Sequence, residues 1–209
     1  MGPGTREALK AVARAVATLI VLPSLCSFSV RRRVLGPDRA LQGSTQALAL
    51  VPGVVGQYLR RAFLARTLAY CSASATIEFG TIFSARGTRI DDHVYIGPHC
   101  SIGLAHFERD VLVGPSVHVP SGSRTHGMAD LSTPIRDQPG REEMVRIGEG
   151  AWIGAAAVVM ADVGRHAVVG AGAVVTRPAP EAVVVGGVPA RILRDRRTGR
   201  NAFLARARS

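Results

Sequence analysis

The chain of 209 residues carries 26 Lys and Arg against 15 Asp and Glu, a net charge of +11, and only 5% of its residues are aromatic. That length allows one main domain with an appendage and a substantial core. Lys10 is the only lysine, aromatic rings for base stacking are few and no nucleic-acid motif is present, so nucleic acid is excluded in favour of a solvated basic face or a phosphate-bearing ligand.

Residues 1–72 differ from the rest. Val16 to Val30 is an uncharged, mostly apolar run, preceded by Arg6, Lys10 and Arg14 and closed by Arg31, Arg32 and Arg33. A second run, Ala47 to Leu59, is interrupted by Pro52-Gly53 and ends at Arg60 and Arg61. Three arginines directly after the first run make a poor cleavage context for a signal peptide. Three readings stay open: a membrane span with Arg14 snorkelling, helices lying against the cytoplasmic membrane face with arginines at anionic head groups, and helices packed on the repeat domain or a neighbouring subunit. The three cysteines, Cys26, Cys71 and Cys100, lack CxxC spacing. They make neither a disulfide framework nor a zinc knuckle, which points to a reducing, cytoplasmic compartment.

From Ile77 onward an aliphatic or aromatic residue recurs every six positions: Ile77, Phe83, then Ile90, Ile96, Ile102, then Phe107, Val113, Val119. After an interruption the series resumes as Ile147, Ile153, Val159, then Val163, Val169, Val175. Helices want a period near 3.6 and exposed strands a period of 2, so six fits neither. It fits a chain that makes a short strand, turns and makes another, sending one side chain per segment into a shared core: a hexapeptide-repeat parallel β-helix. Gly97, Gly103, Gly114, Gly148, Gly154, Gly164 and Gly170 follow inward residues, where a corner is expected. Fourteen inward positions at three per coil predict four to five coils.

The interruption from Pro120 to Val145 reads as a surface excursion from one corner, where function tends to collect. It contains His126. Acyl transfer from a thioester to a hydroxyl needs a base for the hydroxyl proton, and an imidazole, with an ordinary pKa near 6.5, suits that task. His99, His106 and His118 lie inside the repeats and His166 at a corner, and these read as structural or surface residues; His93 has no clear place. Cys100 occupies the small-residue slot four after Ile96, which reads as a packed core thiol, so direct transfer is favoured over a covalent acyl-enzyme.

Residues 77–194 resemble the hexapeptide-repeat acyltransferases, a family that includes galactoside, maltose and polysaccharide O-acetyltransferases. The repeats and the segment Gly186-Gly187-Val188-Pro189-Ala190-Arg191 carry the likeness. The resemblance implies an all-β left-handed β-helix over 73–190, with an α-helical region over 1–72 and a short C-terminal helix in the basic segment 191–209. It implies acetyl-CoA as acyl donor, no metal, a homotrimer sharing its sites between subunits, and His126 as general base. In many members the base stands directly after Gly-Ser or Thr-Gly. Here Gly122-Ser123 is followed by Arg124, and His126 matches the second of the two histidines that some relatives carry.

By the same resemblance Ala155, Ala171, Thr176 and Arg177 match the contacts to the cofactor's pantetheine arm. Arg191 and Arg194 would face its phosphates, a suitable partner for guanidinium groups. The expected function is therefore O-acetylation of a sugar hydroxyl, of a cell-surface polysaccharide or its precursor, at the cytoplasmic side of a membrane touched by residues 1–72. Two alternatives use the same fold. A γ-type carbonic anhydrase would need three zinc histidines with a His-x4-His pair, which His99, His106 and His118 do not supply. A non-catalytic β-helix scaffold would need neither the excursion nor the arginines.

Overall fold

In a computed structural model, residues 3–200 are described. Three helices come first: α1 (Pro3–Leu35), α2 (Pro37–Ala49) and α3 (Gly53–Thr67). They are followed by sixteen short strands. Gly36 (φ 84°) turns the chain between α1 and α2, and Pro52-Gly53 breaks the second apolar run into the end of α2 and the start of α3.

The strands wind into a three-sided parallel solenoid. The first coil is β1 (Tyr70–Cys71), β2 (Thr76–Ile77) and β3 (Ile82–Phe83); the second is β4 (Arg89–Ile90), β5 (Tyr95–Ile96) and β6 (Ser101–Ile102). The third is β7 (Ala105–Phe107), β8 (Leu112–Val113) and β9 (His118–Val119), and the fourth β10 (Val145–Ile147), β11 (Trp152–Ile153) and β12 (Val158–Val159). The fifth holds β13 (Val168–Val169) and β14 (Val174–Val175), and the sixth β15 (Val183–Gly186), which turns back into β16 (Arg191–Asp195). Single bridges at Val163 and Ala179 stand where the first face of the last two coils would carry strands.

Each two-residue strand points one side chain out and the next one in. The inward residues stack in register along the axis, as in Ile77, Ile96, Val113, Ile153, Val169 and Val185 on the second face. All of these are buried. Coils lie about 4.8 Å apart, so each β-branched side chain rests on its counterparts above and below. The solenoid has about six coils, more than the four to five expected. Cys71 opens the first inward stack beside Ile90, and Ala179 and Val185 extend the last coil. A thiol, a methyl and a valine within a valine run carry too little contrast to register as repeat positions.

The three outer faces have different chemistry. The first presents Tyr70, Arg89, His106 and Arg146, with Arg89 over the Tyr70 ring and His106 Nε2 2.9 Å from Asp91 Oδ2. The second presents Tyr95, Leu112, Trp152, Val168 and Val184, an apolar column in continuous register. The third presents Ile82, Ser101, His118, Val158 and Val174.

The helices α2 and α3 close the first end of the prism. Arg60 is the tie: buried, it donates to the carbonyls of Ile77 (3.0 Å), Leu48 (3.2 Å) and Val51 (2.7 Å), joining α3 to β2 and to the end of α2. Burial pulls its pKa below the usual guanidinium value. The Thr45 hydroxyl donates to Phe83 O and accepts from Phe83 N, pinning α2 to β3. The second apolar run therefore packs on the repeat domain, with Leu48, Ala49 and Leu59 buried. The first run behaves otherwise. In α1 a stripe of Ala17, Val21 and Phe28 is buried, Phe28 edge-on to Phe63, while Val12, Val16, Leu19 and Ile20 are exposed.

The far end differs from the expected C-terminal helix. Gly187 (φ 91°) reverses the chain, and Arg191–Asp195 pairs antiparallel with β15, from Gly186↔Arg191 to Val183↔Asp195. The last coil offers an open edge of backbone N–H and C=O groups, and a strand satisfies them where a helix would not. Residues 201–209 of the expected basic tail lie outside the described residues.

Candidate active site

Three columns of corners run along the solenoid, and the candidate site residues are distributed among them. The corner between the second and third faces carries Gly114, Gly154-Ala155-Ala156 and Gly170-Ala171-Gly172 in successive coils. The backbones are in close contact there. Ala156 N donates to Pro115 O (2.9 Å) and Gly172 N to Ala155 O (2.8 Å), and a methyl on Gly154 would come within 2.6 Å of Ala171 N. Ala155 and Ala171 thus lie one above the other at the surface. Arg191 continues the column: it opens β16 beside Ala190, whose amide donates to Val174 O. Its guanidinium is exposed and, among the described residues, reaches only its neighbour's carbonyl, Ala190 O at 3.2 Å.

Thr176 and Arg177 follow β14 and stand at the next corner, between the third and first faces. The sequence run Gly170–Arg177 is therefore not one edge but two, because five or six residues carry the chain across a whole face. Arg194 moves away as well. It lies opposite Val184 on the second face, three residues along a strand from Arg191 and hence about 10 Å off.

The excursion leaves that same third corner. It departs after Val119 and returns at Val145, where β10 stacks directly on β7, so the coils continue without a gap. Its two arms hold each other: Glu143 N donates to Ser121 O (2.9 Å), Arg141 N to Arg124 O (2.7 Å), and Arg124 pairs with Glu143 at 2.9 Å. Gly140 lies hard against the chain before the histidine. A methyl there would overlap the Thr125 carbonyl and come within 2.6 Å of the His126 amide nitrogen. At the tip, the buried Gln138 side chain donates to Asp130 O (2.6 Å) and Thr133 O (2.8 Å) and accepts from Asp130 N. The Asp130 carboxylate accepts from Ser132 and Thr133, whose hydroxyls and amides hold its pKa down at about 2. The excursion is thus a built loop despite having only one 3-10 turn, Ile135–Asp137.

Between this loop and the third face lies a cleft of about 350 Å3, with Ser101, His118, Ser121, Thr125, Glu142 and Val158 on its wall. Its size falls at the lower end of the roughly 300–1,000 Å3 common for ligand sites. His126 is exposed, directly after Thr125, and is not itself part of the wall. His118, read from the sequence as structural or surface, is part of it. The one available signal was its place in the last outward position before the interruption.

The remaining histidines are accounted for by the fold. His93, His99 and His166 take left-handed corner positions (φ 59°, 58° and 55°). The rings of His99 and His166 lie where Cβ atoms on Gly80 and Gly150 would be. His99, His106 and His118 point from a corner, the first face and the third face respectively, so they do not converge on one ion. Among the described residues no three His, Cys, Asp or Glu side chains gather at a metal-binding distance. Cys100 is buried with its Sγ 3.3 Å from Gly114 O, and burial raises its pKa, as suits a packed thiol.

With this geometry in place, residues 144–177 match the hexapeptide repeat of succinyl-transferase. Among solved structures, a galactoside acetyltransferase in complex with coenzyme A superposes with a TM-score of 0.61 at 21% identity, over 76% of this chain and 80% of that one. A hexapeptide-repeat acetyltransferase from Vibrio cholerae gives 0.61 at 22% identity over 76% and 92%, and its complex with acetyl-CoA gives 0.58 at 24% over 75% and 87%. An N-acyltransferase from Bacillus cereus, in complex with dTDP and coenzyme A, gives 0.51 at 14% over 65% and 75%.

Proposed function

We propose that the chain, which carries the hexapeptide repeat and has the left-handed β-helix fold of these acetyltransferases, is a coenzyme A-dependent acyltransferase that moves an acetyl group from acetyl-CoA to a hydroxyl of a sugar, borne on a cell-surface polysaccharide or its precursor. The observation that carries this reading is a pair of features flanking the third face. One is a braced loop whose Thr125 lines a polar cleft, with His126 exposed next to it; the other is a corner of small residues ending in an exposed guanidinium.

In this reading coenzyme A lies along the corner of Ala155 and Ala171, where the absence of larger side chains lets an extended arm meet backbone amides. Arg191 takes its phosphates, with Thr176 and Arg177 serving the edge shared with the loop. Arg194, displaced along β16, is assigned to the outer rim of the same site. His126 accepts the acceptor's hydroxyl proton as its oxygen attacks the thioester carbonyl. The tetrahedral oxyanion then collapses and expels the thiolate, and the His126 imidazolium gives its proton to the sulfur.

The base and the small-residue corner stand on opposite sides of the third face of one chain. We therefore propose a homotrimer in which one chain's loop meets the next chain's corner. The apolar column Tyr95, Leu112 and Trp152 is the surface suited to the contact between copies, since a solvated strand face would be polar. We also propose that the protein works at the cytoplasmic membrane face. An 18-residue window within Glu7–Leu35 has a mean hydropathy of 1.8, the outer side of the helix is exposed and apolar, and Arg32 and Arg33 stand at its end.

The test is acetyl transfer by His126→Ala over a panel of sugar acceptors. The expected result is a fall in turnover of roughly 10²–10⁴ with an unchanged circular dichroism spectrum. His118 offers a second assignment of the base, favoured by its place on the cleft wall. It takes over that role if His118→Ala shows the large loss and His126→Ala does not.

A further inference from the structure

A second cavity lies at the helical end of the molecule, between α1, α3 and the first coil. It has a volume of about 180 Å3 and is lined by Arg14, Thr18, Tyr58, Arg61 and Arg66, with Cys71 at its base. By the same measure one water needs roughly 10–15 Å3, so there is room for a tetrahedral oxyanion and part of what it is bonded to. No carboxylate lines it. Among the described residues none of the three arginines makes an ion pair. Cys71 adds no negative charge, because burial pushes its thiol up to about 12.

The guanidiniums are held in place while keeping free donors. Arg61 lies 4.6 Å over the Tyr58 ring and gives one N–H to Ala75 O. Arg66 donates to Ala62 O (2.8 Å) and to Thr18 Oγ1 (3.1 Å), and the Thr18 hydroxyl in turn donates to Arg14 O. Arg14 Nε is buried with no hydrogen-bond partner. Each guanidinium has five N–H donors, so most of the fifteen are unused. Three like charges around one small cavity repel unless an anion sits among them, and a buried donor without a partner costs free energy. Arginine forks match the oxygens of phosphate in geometry as well as charge.

We propose that this cavity binds the phosphate group of a phosphate ester. Arg14 shares a face of α1 with Ala17, Thr18 and Val21, turned towards the body of the protein, while the exposed Val12, Val16, Leu19 and Ile20 lie on the opposite face. The shared chemistry is the phosphate oxygens, whether they arrive on a lipid headgroup or on a soluble molecule. The site shares no lining residue with the cleft beside the His126 loop and does not rest on the acyl-transfer reading.

The test uses the full chain without acetyl-CoA. Inorganic phosphate binding is measured by calorimetry, and vesicle binding by flotation with phosphatidylcholine alone or mixed with phosphatidic acid. The variants are Arg14→Gln and Arg61→Gln, with Arg136→Gln, an exposed loop residue, as the charge-matched control. The site predicts that each of the first two weakens binding by about ten- to a hundredfold while the control matches the parent. Loss in the vesicle arm assigns the phosphate to lipid, and loss in the free-phosphate arm alone assigns it to a soluble ester; both uphold the site. Binding by Arg14→Gln and Arg61→Gln equal to that of the control in both arms, or no binding by the parent in either, overturns it.

Discussion

At the scale of single residues, what distinguishes His126 from the five histidines of the solenoid is support from behind. Gly140 gives the Thr125–His126 backbone its seat, and no other residue fits there. Gly140→Ala should therefore displace the imidazole and lower turnover about 10²-fold while thermal unfolding of the solenoid stays as it was; enzyme assay beside calorimetry reads both. Asp130 sets a second condition. Its folded pKa is depressed, so its contribution to the loop is full above the unfolded value of 3.8 and is lost as pH falls through about 2. The amide shifts of Ser132 and Thr133 should hold steady at pH 5 and move only between about pH 4 and pH 2. His126 was legible in the sequence as the one histidine of the excursion. Its seat was not, since a glycine fourteen residues downstream shows its purpose only when the two arms are laid together.

At the scale of elements, the period of six was enough to place nearly every strand, because one inward side chain per segment is a contrast that survives in one dimension. It failed where the contrast faded: at Cys71, at Ala179, and at β16, whose exposed strand is dictated by the open edge of β15 and not by its own residues. The cofactor residues show the same limit. Ala171 and Thr176 are five apart in sequence and fall on different corners, whereas Ala155 and Ala171 are sixteen apart and lie in adjacent coils. Arg60 shows how an element is attached. It was readable only as the end of an apolar run, yet it bridges α2, α3 and β2. Replacing it by methionine removes all three donations, leaving Leu48 O only its bond from Val51 N, and should cost about 3 kcal/mol or more in denaturant unfolding, with the helices released before the solenoid.

At the scale of the whole molecule, the three faces divide the labour: one meets water, one is suited to a second copy, and one carries the cleft. If the apolar column joins copies, Trp152→Glu places a charge in that contact. The sedimenting species should then fall from three times the chain's 22.0 kDa to a single chain, with loss of transfer activity although His126 is untouched. The helices at the near end and the loop midway along the prism would then act on a membrane and on an acceptor separately. What remains most exposed to test is the meeting of thioester and imidazole. A crystal structure with coenzyme A bound settles it: the account predicts the cofactor along Ala155 and Ala171, phosphates at Arg191, and its sulfur within about 4 Å of a hydroxyl-sized space beside the imidazole of His126, from the same chain or its neighbour. Coenzyme A bound elsewhere, or with its sulfur remote from every His126 in the assembly, would contradict it.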